Sequence, residues 1–424
     1  MKRWRDTMRG GLAREAATLM GGNMLAQALA VGAYFILTRI YTPDDYGLFN
    51  IFYSYIEVLV IASTCKYELA TVVADNEREA AAVTRFALRL NTTVSAGLLA
   101  VAAGLWATGQ LPTHFRSLGW MVMLIPPMVF FCGTSRIYSF LYNRFHRYRA
   151  IALSDNVAAG GGALLKVVLG LAGWLQSGLP IGTTLGQAAA NINYRLGLHR
   201  LGLPATTRAD ERSAARRHRN FPLFVASKEF ISTFSSNLPF IWAAQYFGSA
   251  EVGLFGLALT FTMQPVNIVG SAIERVLYAR TAEAVRERRP VGHTLIHALL
   301  PLTVAALAVC VAAWFVAEPV FVFCFGSRWA GCGDFVRALL PWAIVGFVVS
   351  ITLYLPNVFG SQRTEIHFFV VLLAVRAAAV YIGIRTASFL LTVRIFAWVS
   401  ATVYAALLIW YATQIIRYER NLKA

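Results

Sequence analysis

The chain has 424 residues, 57% of them hydrophobic and 14% charged, with a mean hydropathy of +0.57. A soluble domain carries about 25% charged residues, so this balance excludes a water-soluble enzyme and requires a surface that faces lipid. The 38 Lys and Arg against 21 Asp and Glu leave a net charge of +17. The bases are spread between apolar runs instead of collected in one polar domain, which excludes a nucleic-acid binder.

A basic start (Lys2, Arg3, Arg5, Arg9, Arg14) leads into an apolar stretch from Glu15 to Tyr41. It is too long for a signal-peptide core and has no persuasive small-residue cleavage site, so it reads as a retained first membrane helix. Further apolar runs fall at 47–68, 80–108, 118–142, 150–174, 177–197, 221–247, 252–276, 293–320, 334–356, 366–384 and 388–415, giving about twelve spans. An even number puts both termini on one side. One set of connections holds the N-terminal arm, Arg78, Arg144, Arg147, Arg149, Arg208, Arg212, Arg216, Arg217, Arg219, Arg280, Arg286, Arg288, Arg289, Arg363, Arg417, Arg420 and Lys423. The opposite set holds little beyond Arg116, Arg328 and Arg385, and this bias predicts cytoplasmic termini.

The longest polar interruption, Leu201 to Asn220, predicts a cytoplasmic basic linker (201–220) between an N-terminal six-helix lobe (1–200) and a C-terminal six-helix lobe (221–424). The turn Tyr41-Thr-Pro-Asp-Asp-Tyr-Gly-Leu-Phe49 is echoed by Tyr246-Phe-Gly-Ser-Ala-Glu-Val-Gly-Leu-Phe255. Aligning Gly47 with Gly253 places Glu68 on Glu274 and Glu77 on Glu283 without a gap. The expected fold is therefore an all-α polytopic membrane protein. Its two six-helix bundles are related by a pseudo-twofold axis along the membrane normal, with a central cavity between them, the plan of an alternating-access transporter.

The connections opposite the basic set are mostly short turns without a His or carboxylate cluster, which argues against a membrane-embedded glycosyl transferase or polymerase. A P-loop motif is absent, so pumping would draw on a gradient or a separate ATPase. Cys65, Cys132, Cys310, Cys324 and Cys332 lack metal-ligand spacing, and neither metal nor cofactor is expected. Cys324 and Cys332 flank Phe325-Gly-Ser-Arg-Trp-Ala-Gly331 within the longest outward loop, roughly Ala317 to Asp334, and are either a disulfide pair or two small apolar residues near an interface.

An ionisable side chain at membrane depth costs about 2.5–3.5 kcal/mol on insertion scales, so it faces a cavity or a partner. The deepest are Glu57, Asp155, Lys166 and Arg376. Arg136, Lys66, Glu68, Lys228, Glu229, Glu274 and Arg275 lie nearer the cytoplasmic ends, and Arg39, Arg337 and Arg394 nearer the outer ends; the end-placed group also fits snorkelling. Asp155 and Lys166 are eleven residues apart, about three turns, which puts both on one helix face. Excess base at these depths favours an anionic substrate, because Arg and Lys hold phosphate through charge-assisted hydrogen bonds. Pro126-Pro127, Gly160-Gly161-Gly162, Pro239 and Pro265 interrupt spans where bending would serve rocking of the bundles.

The segment Leu37-Thr-Arg-Ile-Tyr-Thr-Pro-Asp-Asp-Tyr-Gly-Leu-Phe49, followed by Lys66-Tyr-Glu-Leu-Ala70, resembles the amino-terminal signature of Wzx-type polysaccharide repeat-unit (O-antigen) flippases. These belong to the superfamily that also holds MATE drug exporters and lipid II flippases. Asn220-Phe-Pro-Leu-Phe224, Leu238-Pro239, Gly253-Leu-Phe-Gly-Leu-Ala258 and Gly270-Ser-Ala-Ile273 resemble its seventh and eighth helices, and Phe325-Gly-Ser-Arg-Trp329 with Leu340-Pro-Trp342 the start of its tenth. Glu274-Arg275 departs from the neutral polar residues usual in the family.

The resemblance implies a non-enzymatic flippase that moves undecaprenyl-diphosphate-linked oligosaccharide across the plasma (inner) membrane of a bacterium for surface polysaccharide. Its other partners would be membrane lipids and the polymerase and chain-length proteins of the same pathway, with no nucleic acid and a monomeric state. The expected pyrophosphate and lumen residues are Lys166, Arg376, Arg136, Lys66, Arg39 and Lys228; the ion-coupling candidates are Glu57, Asp155, Glu274 and Glu68. The alternatives are a MATE-like cation-coupled small-molecule exporter, which should place acids rather than bases in its lumen, a lipid II-type flippase, and a non-transporting scaffold.

Overall fold

Helices account for the regular structure of the computed structural model, which describes Leu29 and residues 31–423. The beginning of the expected first span, 15–28, lies outside those residues, as do the basic residues before it. Two units follow from the clustering of contacts, Met1–Thr233 and Phe234–Ala424. Among the described residues, nine helices are long and apolar enough to cross a membrane.

Unit 1 opens with α1 (Val31–Ile40) and α2 (Pro43–Thr64). The signature turn between them is a helix start. Thr42 caps α2, its amide donating to Asp45 Oδ2 at 2.8 Å while the Asp45 amide donates back to Thr42 Oγ1 at 3.3 Å, with Pro43 in the first turn. Short α3 (Tyr67–Val73) leads into α4 (Glu77–Ala107) and α5 (Thr113–Arg116). A 3₁₀ turn (Gly119–Leu124) then opens α6 (Ile125–Arg144). Pro126 and Pro127 sit in the first turn of α6, where no intrahelical amide is required, so they begin that helix instead of bending it.

The fifth span consists of α7 (Tyr148–Asn156), a π turn (Val157–Gly161) and α8 (Gly162–Leu171). It packs against α9 (Leu175–Leu198) through glycines. A Cβ on Gly182 would meet the Lys166 backbone nitrogen at 2.9 Å, and one on Gly186 would meet Gly162 Cα at 2.8 Å. The spacing Gly178, Gly182, Gly186 puts these residues on one face of α9 and lets the two backbones approach closely.

The expected linker does not stand apart from unit 1. It folds into α10 (Arg208–Arg217), whose Asp210 and Glu211 accept from Arg78 (3.0 Å) and Arg89 (2.6 Å) on α4. A second π turn (Phe221–Ala226) precedes α11 (Ser227–Tyr246), and the boundary between the units falls inside α11 instead of before it.

Unit 2 continues with α12 (Ser249–Arg286), α13 (Gly292–Phe325), α14 (Cys332–Thr352), α15 (Leu355–Phe359), α16 (Gln362–Arg385) and α17 (Phe389–Lys423). The most apolar 18 residues of α13 have a mean hydropathy of 2.4 and none is buried, which makes it a lipid-facing helix. Between α13 and α14 both carboxylate oxygens of Glu318 accept backbone amides, from Gly331 and Gly333, each at 2.7 Å. Cys324 and Cys332 are free thiols, Cys332 fully buried, so the small-apolar reading of the pair holds over the disulfide.

Candidate functional site

Four of the ten sequence-selected residues converge within unit 1. On α2, Tyr53, Ile56, Glu57 and Val60 face inward, and on α6 Cys132, Ser135, Arg136 and Ser139 do the same. Each set has the i, i+3, i+4, i+7 spacing of a single helix face. With Asp155, Ala158, Gln187, Ala190 and Tyr194 they enclose a cavity of about 230 Å³. Asp155, Ala158 and Gln187 also border an adjoining cavity of about 290 Å³, which Tyr34, Tyr46, Phe49 and Lys166 complete. The π turn lies between Asp155 and Lys166, so a plain count of helical turns does not describe their relation, yet both side chains reach the same space.

Lys166 and Arg136 have no ion-pair partner among the described residues. The Lys166 ammonium stands 5.3 Å from the centre of the Phe49 ring, a cation–π position. The Lys166 backbone is held as well, because Tyr41 Oη donates to its carbonyl at 2.7 Å. The signature residues Tyr41 and Phe49 therefore position Lys166 from two sides. Ser135 Oγ donates to Gln187 Oε1 (3.2 Å), and Asn191 Nδ2 donates to Ser135 Oγ (2.9 Å) and the Phe131 carbonyl (2.9 Å). These uncharged polar residues extend the site beyond the charged positions expected from the sequence. Their signal is present in it, as Ser, Gln and Asn on the face of a span that would otherwise be apolar.

Lys66, Glu68 and Lys228 lie elsewhere in unit 1, where α2, α3 and the start of α11 meet. Cys65 and Lys66 both adopt left-handed backbone, with φ of 47° and 58°, which turns the chain sharply from α2 into α3. Lys66 Nζ contacts Glu229 Oε1 at 2.5 Å and lies 3.8 Å from Glu68 Oε1. Glu68 is 1% exposed. One ammonium thus answers two carboxylates, and its charge is committed within the protein. Lys228 is half-buried beside this group, and Arg39 is exposed on α1.

Arg376 and Glu274 belong to unit 2. Arg376 is fully buried. Its guanidinium donates to Ser400 (2.8 Å), Ser236 (3.0 Å) and Ser235 (3.3 Å) and stacks over Trp342 and Phe396, 4.8 and 4.7 Å from their ring centres. It joins α16 to α11 and α17 and offers no open surface to a ligand. Glu274 is half-buried on α12, and the neighbouring Arg275 is exposed and turns back to the Ser271 carbonyl.

The fold is that of a multi-pass membrane protein and is shared with solved membrane transporters. A structure of the lipid II flippase MurJ in an inward closed conformation superposes with a TM-score of 0.75 at 9% identity, covering 95% of this chain and 90% of that one. An inward-facing multidrug resistance MATE family transporter of the MOP superfamily gives 0.66 at 16% identity, covering 93% and 96%. Residues 36–334 match the family described as polysaccharide biosynthesis protein, and the chain belongs to that family. The succinoglycan biosynthesis transport protein ExoT of Rhizobium meliloti (strain 1021) is 24% identical over 322 residues, which is 73% of this chain and 63% of that protein. The protein is accordingly a multi-pass membrane protein of the polysaccharide biosynthesis family.

Proposed function

We propose that this protein flips undecaprenyl-diphosphate-linked oligosaccharide repeat units across the bacterial plasma membrane by alternating access, with both termini in the cytoplasm. The observation that carries the reading is the pair of bases without ion-pair partners, Lys166 and Arg136, facing cavities in the spanning part of unit 1. In a family of polysaccharide transporters, an anionic diphosphate is the group that such bases would meet. Each cavity, about 230 and 290 Å³, is below the usual range of about 300–1,000 Å³ for small-molecule pockets. The sugars therefore need space that opens during transport, while these cavities handle charge. Glu57 and Asp155 share the same walls and are the carboxylates suited to carry a coupling proton or cation. Lys66, whose charge is already answered by Glu68 and Glu229, and Arg376, enclosed by serines and aromatic rings, serve the framework in this reading.

The test is flipping of a lipid-linked diphosphate oligosaccharide in reconstituted vesicles, together with surface polysaccharide in cells. The double variant Lys166→Gln/Arg136→Gln is expected to lose both while keeping its melting temperature in detergent. Unchanged flipping would remove these residues from substrate handling. The carboxylates in the same cavities favour a second reading, export of a cationic small molecule. That reading predicts cation efflux that depends on Asp155 and survives loss of Lys166.

A further inference from the structure

The arginine-rich helix α10 takes no part in the cavities, and its two faces differ in kind. On the inner face Glu211 is buried, with Ala214 and Ala215 beside it. Glu211 accepts from Arg89, Asp210 accepts from Arg78, Arg217 pairs with Asp75 and Glu79, and Tyr67 Oη donates to the Ala215 carbonyl at 3.3 Å. Both carboxylates of α10 are engaged by arginines of α4. The outer face carries Arg208, Arg212 and Arg216 at intervals of four residues, and Arg219 follows just past the helix; all four are exposed. None has an acidic partner among the described residues. Four residues after Arg219 begins the run Leu223, Phe224 and Val225, which are 59%, 45% and 36% exposed. Bare guanidinium groups that give way within a few residues to bare apolar side chains match the change of surroundings from lipid headgroups to acyl chains.

We propose that Arg208, Arg212, Arg216 and Arg219 form a docking surface for the phosphate headgroups of anionic phospholipids, which lay α10 on the membrane and set the depth at which α11 begins. The extent of the row favours bulk lipid over a single transported molecule. The eight residue steps of helix from Arg208 to Arg216 extend about 12 Å, farther than one diphosphate can bridge, so the groups along the row meet separate headgroups. Polybasic segments beside a membrane gain attraction from every Lys or Arg, and salt screens it.

The experiment uses the full chain in nanodiscs of phosphatidylcholine, with and without phosphatidylglycerol, and measures retained phosphatidylglycerol by native mass spectrometry at low and high salt. The wild type is expected to retain phosphatidylglycerol preferentially at low salt. Arg208→Gln/Arg212→Gln/Arg216→Gln/Arg219→Gln should weaken that preference by about tenfold or more, whereas Lys at the same four positions should keep most of it, which separates charge from folding. Arg280→Gln/Arg286→Gln/Arg288→Gln/Arg417→Gln removes as many charges elsewhere and should also keep most of it. Equal loss in both Gln variants, or no loss in the α10 variant, overturns the proposal. So does a variant of α10 that retains phosphatidylglycerol normally but fails to flip lipid-linked diphosphate, since the row would then serve substrate. The measurement contains no transported substrate, so failure of the flippase reading leaves its outcome interpretable.

Discussion

At Lys66 one ammonium stands between a half-exposed Glu229 and a buried Glu68. Removing it leaves two carboxylates without a counter-charge, so Lys66→Met should destabilise the fold by about 3–5 kcal/mol, the range for removing one partner of a buried pair. Glu229→Gln, on the more exposed side, should cost about 1 kcal/mol or less. Thermal melts of both variants, with Lys66→Met/Glu68→Gln as the compensating double, check the order; equal losses for the two single variants would contradict it. Arg376 presents the complementary case, a buried cation held by hydroxyls and ring faces. Arg376→Ala removes a large packed side chain, which should cost about 2–5 kcal/mol, and leaves Ser235 and Ser236 without their donor. The same melts measure it, and stability within about 1 kcal/mol of wild type would show that the site collapses without loss. Sequence reading places Arg376 deep in its span and Lys66 nearer the cytoplasmic end of its own. It did not distinguish one committed to structure from one open to a ligand, because the partners of Arg376 are 140 and 24 residues away in the chain.

Individual elements carry two further expectations. The glycine face of α9 allows α8 to approach, and Gly182 faces the Lys166 backbone. Gly182→Val would push the helices apart or strain them, with a cost of about 1–3 kcal/mol. It should also displace Lys166, so transport should fall further than melting alone explains; a variant with full transport and a lowered melting point would break the link between this packing and the cavity. At α10, Asp210 accepts from the Thr207 amide, the Thr207 hydroxyl and Arg78, in that order of structural proximity at 2.9, 3.0 and 3.0 Å. The backbone hydrogen bond from Thr207 first, and then Arg78, hold its carboxyl below the usual carboxylate range. The folded value lies below the unfolded one, so this stabilisation is complete above the unfolded pKa of about 3.9 and disappears as pH falls through the folded value. Hydrogen-exchange protection at the start of α10, corrected for the intrinsic pH dependence of amide exchange, should therefore be flat from neutral pH to about pH 5 and fall only in stronger acid, whereas Asp210→Asn should be less protected throughout.

For the whole molecule, the family match and the transporter fold agree with a class that composition alone demanded. Glu57 and Asp155 sit in the cavities that Arg136 and Lys166 line, so coupling and substrate charge would be handled in one place. Glu57→Gln/Asp155→Asn is expected to flatten the response of flipping to an imposed proton or sodium gradient while binding of lipid-linked diphosphate persists. Gradient dependence equal to that of wild type would exclude these two carboxylates as carriers.

Local composition was enough for the membrane class, for the existence of charges at membrane depth and for nine of the expected spans, because hydrophobic length and local periodicity are properties of neighbouring residues. The expected spans 15–41, 177–197 and 221–247 have no counterpart among the nine apolar helices of the described residues. The sequence also showed a boundary region near the middle of the chain, but not that α10 packs onto α4 or that the division runs through α11. Tertiary structure alone decided that Glu57, Arg136, Asp155 and Lys166 share adjoining cavities, that Lys66 is neutralised and that Arg376 is enclosed. Such outcomes depend on the rotation and separation of helices distant in the chain. Those are set by glycine contacts, buried hydrogen bonds and ion pairs whose partners lie far apart in the chain, so the residue types are visible in the sequence and their pairing is not.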